Sequence, residues 1–143
     1  MNKKAAIFAI VAGFLTLVQL AEAQQAPKVY KVGLLGVASP TGYARQIEAF
    51  RQGLRDLGYV EGKSIVIEFR WADGNVTRLP ELATELIRMN PDVLVTSGPG
   101  TAIAKRATSK IPIVMAVGQN AVETGLVASL ARPGGNVTGS SSF

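Results

Sequence analysis

Three short stretches hold the residues whose types could do chemistry: Ser39-Pro40-Thr41-Gly42, Ser97-Gly98-Pro99-Gly100-Thr101 and the pair Gln119-Asn120. They supply hydroxyls, carboxamides and backbone N–H groups, all neutral. Such groups hold a ligand, but none is a ready proton acceptor near neutral pH. The 143-residue chain has no Cys and no His. That excludes a Cys nucleophile, a Ser-His-Asp triad, a zinc site built on Cys or His, and a disulfide framework. Gly98-Pro99-Gly100 lacks the third Gly of a dinucleotide fingerprint, because Ile103 holds that place. No complete Walker-type phosphate loop is present. Glu61, Glu68, Asp73, Glu81 and Glu85 show no paired spacing and read as solvated faces. The expectation is a binding protein with no catalytic residue, no metal and no cofactor.

The elements that must position these loops can be read from period. Residues 29–37 form an unbroken apolar-rich run, the mark of a strand buried on both faces. Over 43–57 the period becomes helical. Tyr43, Ile47, Phe50, Leu54 and Leu57 fall on one face, and Gly58 stands where a left-handed cap would end the helix. Tyr43 has two readings here, stacking on a ligand or packing in the core. Residues 64–71 alternate as a second strand. Leu79, Leu82, Ala83 and Leu86 mark a second helix, with Pro80 in its first turn and Asn90-Pro91 after it. Residues 93–96 give a third strand. Residues 101–108 give a third helix whose Ala102, Ala104 and Ala107 suit close packing on a sheet. Residues 113–117 give a fourth strand. A fourth helix is expected over 121–130, weakened by Gly125, and a fifth strand starts at Asn136.

Strands alternating with helices at this spacing imply an α/β fold: a doubly wound parallel sheet with right-handed crossovers. A flavodoxin-like order, 2-1-3-4-5, reverses between strands one and three. Ligands in such sheets lie at the carboxyl ends of the strands, at that reversal. The loops at 39–42 and 97–101 then face one another, with Gln119 and Asn120 beside them. Both loops lead into helix N-termini, which favour anions such as a carboxylate. Ser39, Thr41 and Thr101 could equally cap those helices.

The first residues read differently. Lys3 and Lys4 precede an apolar run over 5–18, followed by Ala21-Glu22-Ala23. This is the three-part pattern of a secretory signal peptide, with cleavage expected before Gln24. Loss of Lys3, Lys4 and Glu22 lowers the net charge from +5 to +4. The remaining basic residues are scattered, so a solvated surface is expected and no nucleic-acid partner. The domain division is then a signal peptide over 1–23 and one α/β lobe over 24–143. The lobe is expected to be cut short of a second one, because the chain stops as a strand starts.

Three segments carry a family likeness. They are Phe50-Arg51-Gln52-Gly53-Leu54-Arg55-Asp56-Leu57-Gly58-Tyr59-Val60-Glu61-Gly62-Lys63, Glu68-Phe69-Arg70-Trp71-Ala72-Asp73-Gly74, and Gly125-Leu126-Val127-Ala128-Ser129-Leu130-Ala131-Arg132-Pro133-Gly134-Gly135-Asn136-Val137-Thr138-Gly139. Together they resemble ABC-transporter substrate-binding proteins of the type I periplasmic fold, the group that includes tryptophan and tyrosine importers. The resemblance covers nearly the whole chain from about Tyr30 and implies a two-lobe clamp, of which this is the first lobe. One departure matters. After the fourth strand the family commonly carries an Asp-Pro or Asp-Ala pair, whereas this chain has Gln119-Asn120-Ala121. Where that Asp holds an ammonium group, a less cationic solute is implied here.

The resulting expectation is an extracytoplasmic, periplasmic binding component of an ABC importer. It takes a small polar solute, an amino acid being one candidate, and delivers it to a membrane permease. Ser39, Thr41, Ser97, Gly98, Thr101 and Gln119 are the expected contacts. The rival is a periplasmic sensor module feeding a signalling partner. A secreted α/β hydrolase would need a nucleophile elbow and a base, and the sequence shows neither.

Overall fold

A computed structural model describes residues 28–129 and 131–142. The expected leader and its cleavage point lie outside the described residues. The chain runs through β1 (Tyr30–Gly36), α1 (Ala44–Asp56), β2 (Ile65–Trp71), a 3-10 turn (Val76–Arg78), α2 (Leu79–Arg88), β3 (Val93–Thr96), α3 (Pro99–Ala107), β4 (Ile113–Gln119) and β5 (Val137–Ser142). The five strands form one sheet in the order β2-β1-β3-β4-β5. Every pairing is parallel. This is the flavodoxin-like order that the alternating period implies.

Register sorts the side chains into two faces. Val32, Ile65, Ile67 and Val95 form one cluster, with Leu34, Phe50, Leu54 and Phe69 packed on it. Here α1 lies on the sheet. Leu35, Leu94, Ile113, Met115 and Val137 point the other way, against Leu79, Leu82, Ala83 and Leu86 of α2 and Ala104 of α3. All four expected core positions of α2 are buried. In α3 the buried positions are Gly100, Thr101 and Ala104, and Ala107 is exposed. The small face of that helix therefore begins earlier than its alanines indicate.

Local chemistry explains the helix ends. Gly58 takes a φ of 86°. Its N–H donates to the Arg55 carbonyl and the Tyr59 N–H to the Leu54 carbonyl, closing α1 with a left-handed cap. The Asn75 side chain accepts from the Thr77 N–H and starts the 3-10 turn that leads into α2. At the amino end of the sheet, Asp92 accepts from the Lys31 N–H at 2.8 Å and pairs with Lys28 at 2.9 Å. The Lys31 N–H, and after it the Lys28 ammonium, hold the Asp92 carboxyl below its ordinary range.

Two expectations need correction. Leu57 does not share the buried face of α1, being 76% exposed just past the helix end. The expected fourth helix is not formed. Residues 121–129 are turns and bends, and Gly125 has a φ of 69° that a right-handed helix cannot contain. One short turn survives, with Thr124 N–H donating to Asn120 O and Leu126 N–H to Ala121 O. The Lys105 ammonium then draws the Gly125 and Leu126 carbonyls sideways, at 2.6 and 3.1 Å. Buried Ala121 and Val127 anchor the loop to the core beside α3. Asn136 ties the following turn down by donating to the Thr108 and Ile111 carbonyls, both at 2.9 Å.

Leu86 is 1% exposed at the centre of the core, so Leu86→Ala is expected to cost about 2–5 kcal/mol. Leu57→Ala is expected to stay within about 0.5 kcal/mol. Urea denaturation of both variants checks the assignment of faces. A second expectation concerns acid. A carboxylate whose pKa falls on folding contributes stability above its unfolded pKa and loses it as pH drops through the folded one. Asp92→Asn should therefore make the urea midpoint less sensitive to acidification between about pH 7 and about pH 3.

Candidate functional site

All five strands point their carboxyl ends to one edge, and a cavity of about 620 Å³ opens there. That lies within the range of small-molecule sites. Its floor is the carboxyl end of β1 and β3, at Leu34, Gly36, Val95 and Thr96. One wall is the start of α1 with Trp71, and the other is the β3–α3 loop at Ser97, Gly98 and Pro99 with the end of β4. Among the described residues, no ionised side chain lines it.

The loops are held to each other across the reversal point. The Tyr43 hydroxyl meets the Ser97 hydroxyl at 3.3 Å, linking the loop after β1 to the loop after β3. Gly98 adopts a φ of 53° and donates its N–H to the Val117 carbonyl, which fixes the β3–α3 loop to β4. The Ala72 N–H donates to Gly36 O and the Gly74 N–H to Val37 O, so the segment after β2 is fastened to β1.

The expected contact residues fall into four groups. Ser97 and Gly98 line the cavity. Ser39 and Thr41 sit on the β1–α1 loop, their hydroxyls 2.9 Å apart, and the Gly42 N–H donates to the Ser39 hydroxyl. Neither caps α1, whose N-cap residue is Tyr43 with no side-chain cap. Gln119 is the last residue of β4.

Thr101 is placed differently from the expectation. It lies inside α3, wholly buried and away from the cavity wall, with its hydroxyl unpartnered among the described residues. The helix begins at Pro99, and its N-cap is Gly98, so Thr101 is not a cap either. The first N–H groups of α3 are also engaged, with Gly100 donating to Ser97 O and Thr101 to Gly98 O. The dipole of α3 still points at the cavity, but these donors are turned into the helix.

The period reading missed an aromatic wall. Trp71 stacks on Tyr43 with ring centres 5.8 Å apart and on Phe69 at 5.7 Å. The Arg51 guanidinium covers the far end at 5.4 Å from Phe69 and is held there by Glu61 at 2.9 Å. The signal was present: Phe69 and Trp71 are two apart on one strand and so share a face. Tyr43 packs on Trp71, and it also lines the cavity.

A family model described as ABC transporter substrate binding protein matches residues 31–143. The chain belongs to that family. ABC transporter substrate-binding proteins are binding proteins, not enzymes, and those of importers work outside the cytoplasm. A tyrosine-binding protein of Clostridioides difficile (strain R20291) is 32% identical over 117 residues, covering 81% of this chain and 34% of the relative. A Streptococcus pneumonia ABC domain solved with L-Trp superposes with a TM-score of 0.73 at 27% identity, covering 80% of this chain and 39% of that one. A conserved domain protein of Vibrio cholerae gives a TM-score of 0.75 at 32% identity, covering 81% and 40%. The chain thus spans about a third of the length of the tyrosine-binding relative.

Two glycines separate tight from open backbone in this fold. A Cβ on Gly100 would run into the buried Thr96 hydroxyl, whereas one on Gly53 in α1 meets nothing within 4 Å. Gly100→Ala is expected to destabilise by about 1–3 kcal/mol, and Gly53→Ala to stabilise by about 0.4–1 kcal/mol. Thermal unfolding of the two variants should give shifts of opposite sign.

Proposed function

We propose that this chain is the first lobe of the extracytoplasmic solute-binding component of an ABC importer. It performs no reaction. It takes a small polar solute, an amino acid being the leading class, between itself and a second lobe, and presents it to a membrane permease. The observation that carries this reading is the cavity at the reversal of strand order, uncharged and floored by strand ends, in a chain of this family. The relatives named for tyrosine and solved with L-Trp favour an amino acid. The leader over 1–23 fits delivery to the periplasm.

In this reading the hydroxyls of Ser97 and Tyr43 and the backbone at Gly98 form the polar end of the site. Ser39 and Thr41, on the β1–α1 loop, are not among the lining residues, and Gln119 ends β4. Thr101 supports α3 from within the core and does not touch the solute. The dipole of α3 adds only about 0.3–1 kcal/mol while water screens it. Closure of a second lobe would exclude that water and cover the rest of the solute.

An open half-site cannot supply the roughly 8 kcal/mol that micromolar binding requires. Residues 24–143 alone are therefore expected to bind the natural amino acids no tighter than roughly millimolar. The complete protein, with its second lobe, should bind one of them far more tightly. Titration calorimetry on both forms is the test, and tight binding by the isolated lobe would contradict the clamp.

A further inference from the structure

We propose that the amino edge of the sheet, opposite the cavity, is a docking surface for an anionic lipid bilayer. Exposed apolar side chains gather there. Among the described residues, Val29, Tyr30, Leu57 and Val60 stand out of the fold at this edge, Leu57 being 76% and Val60 48% exposed. They come from two segments, the start of β1 and the turn between α1 and β2, and the backbone joins those segments. The Tyr30 N–H donates to the Ser64 carbonyl, and the Val60 carbonyl accepts from the N–H groups of Lys63 and Ser64. The Tyr30 ring meets the Tyr59 ring edge-on, with centres 6.0 Å apart. Single exposed apolar residues are ordinary, but a contiguous group rimmed by polar ones marks an interaction surface.

Charge says what covers it. The cations are scattered in sequence, but every crossover returns the chain to the amino edge. Lys31 at the start of β1, Lys63 before β2, Arg88 in the last turn of α2 and Lys110 before β4 all stand there. All four are exposed, and none forms a salt bridge among the described residues. The acids of the same edge are already engaged. Asp92 is held by Lys28 and the Lys31 N–H, Glu61 by Arg51 at 2.9 Å and Asp56 by Gln52 at 2.7 Å. The edge is therefore positive around an apolar centre. A phospholipid surface matches both parts: its phosphates take the ammonium and guanidinium groups, and its headgroup–acyl boundary takes the apolar side chains. The position of the leader is an independent reason. Lys28, the first described residue, lies at this edge, so the apolar run over 5–18 joins the fold here. Residues 19–27 between them reach roughly 35 Å at full extension, which keeps this edge nearest the bilayer whenever that run is in it. The cavity opens at the other edge and stays clear of the lipid.

The test is co-sedimentation of the complete protein, lacking residues 1–23, with lipid vesicles. One set holds equal parts of phosphatidylglycerol and phosphatidylcholine, and the other phosphatidylcholine alone. Wild type should bind the anionic vesicles roughly tenfold or more better than the neutral ones, and high salt should weaken that binding. Lys31→Glu combined with Lys63→Glu should lower the anionic binding by roughly tenfold or more. Leu57→Ser combined with Val60→Ser should lower it by roughly fivefold or more. All four positions are exposed or partner-free, so the urea midpoints of both variants should stay near that of wild type. The wild-type contrast between the two vesicle types decides independently of the variants. No binding to the anionic vesicles, equal binding to both sets, or binding that neither double variant weakens would overturn the proposal. A dimer in sedimentation velocity that the Leu57→Ser, Val60→Ser variant dissolves would give the surface to a second copy of the chain and overturn it too.

Discussion

Everything in this fold depends on the strands being parallel. Parallel strands need a crossover between each pair, and each crossover returns the chain to the same starting edge. The loops that leave the strands are therefore gathered at the opposite edge, although they lie far apart in sequence. Tyr43 and Ser97 are 54 positions apart and meet at 3.3 Å for this reason. The reversal of order between β1 and β3 sends α1 to one face and α3 to the other. The two helices part there, and the space between their first turns is the cavity. The core exists to hold that geometry. Gly33 on β1 lets Leu86 and Leu94 close in where a Cβ would crowd them.

The two faces of the sheet are used unequally. Helices α2 and α3 bury Leu79, Leu82, Leu86 and Ala104 completely or nearly so. On the other face α1 has no fully buried residue. Its apolar side chains meet the sheet through half-buried contacts of Phe50 and Leu54. Stability is concentrated on the first face, and the second carries the aromatic row that leads to the cavity. A sheet arranged this way keeps its loops in register along the edge where the cavity opens.

Much of this was legible in the amino-acid order, and the reasons for the gaps are physical. Unbroken apolar runs and helical spacing located five strands and three helices, because burial on both faces of a parallel sheet leaves a strong pattern. The helix expected after β4 failed because apolar spacing at Ala121 and Val127 also fits a loop pinned by two buried residues. The left-handed turn at Gly125 and the pull of Lys105 on its carbonyl, 20 positions away, decided between them. Thr101 was expected at a helix start because Ser97-Gly98-Pro99-Gly100 resembles a loop. In the fold Pro99 already opens the helix, which draws Thr101 into the core. The aromatic wall escaped notice because it is assembled from a strand and a distant helix start. Only the pairing of Gly36 with Trp71 brings it together.

The central claim is that the carboxyl edge of this sheet is one half of a solute cleft. A crystal structure of the complete protein with a co-purified or added solute tests it most directly. The solute should lie against Trp71, Ser97 and Gly98, between this lobe and the next. A solute seated at the amino edge near Asp92, or one making no contact with this lobe, would contradict the account.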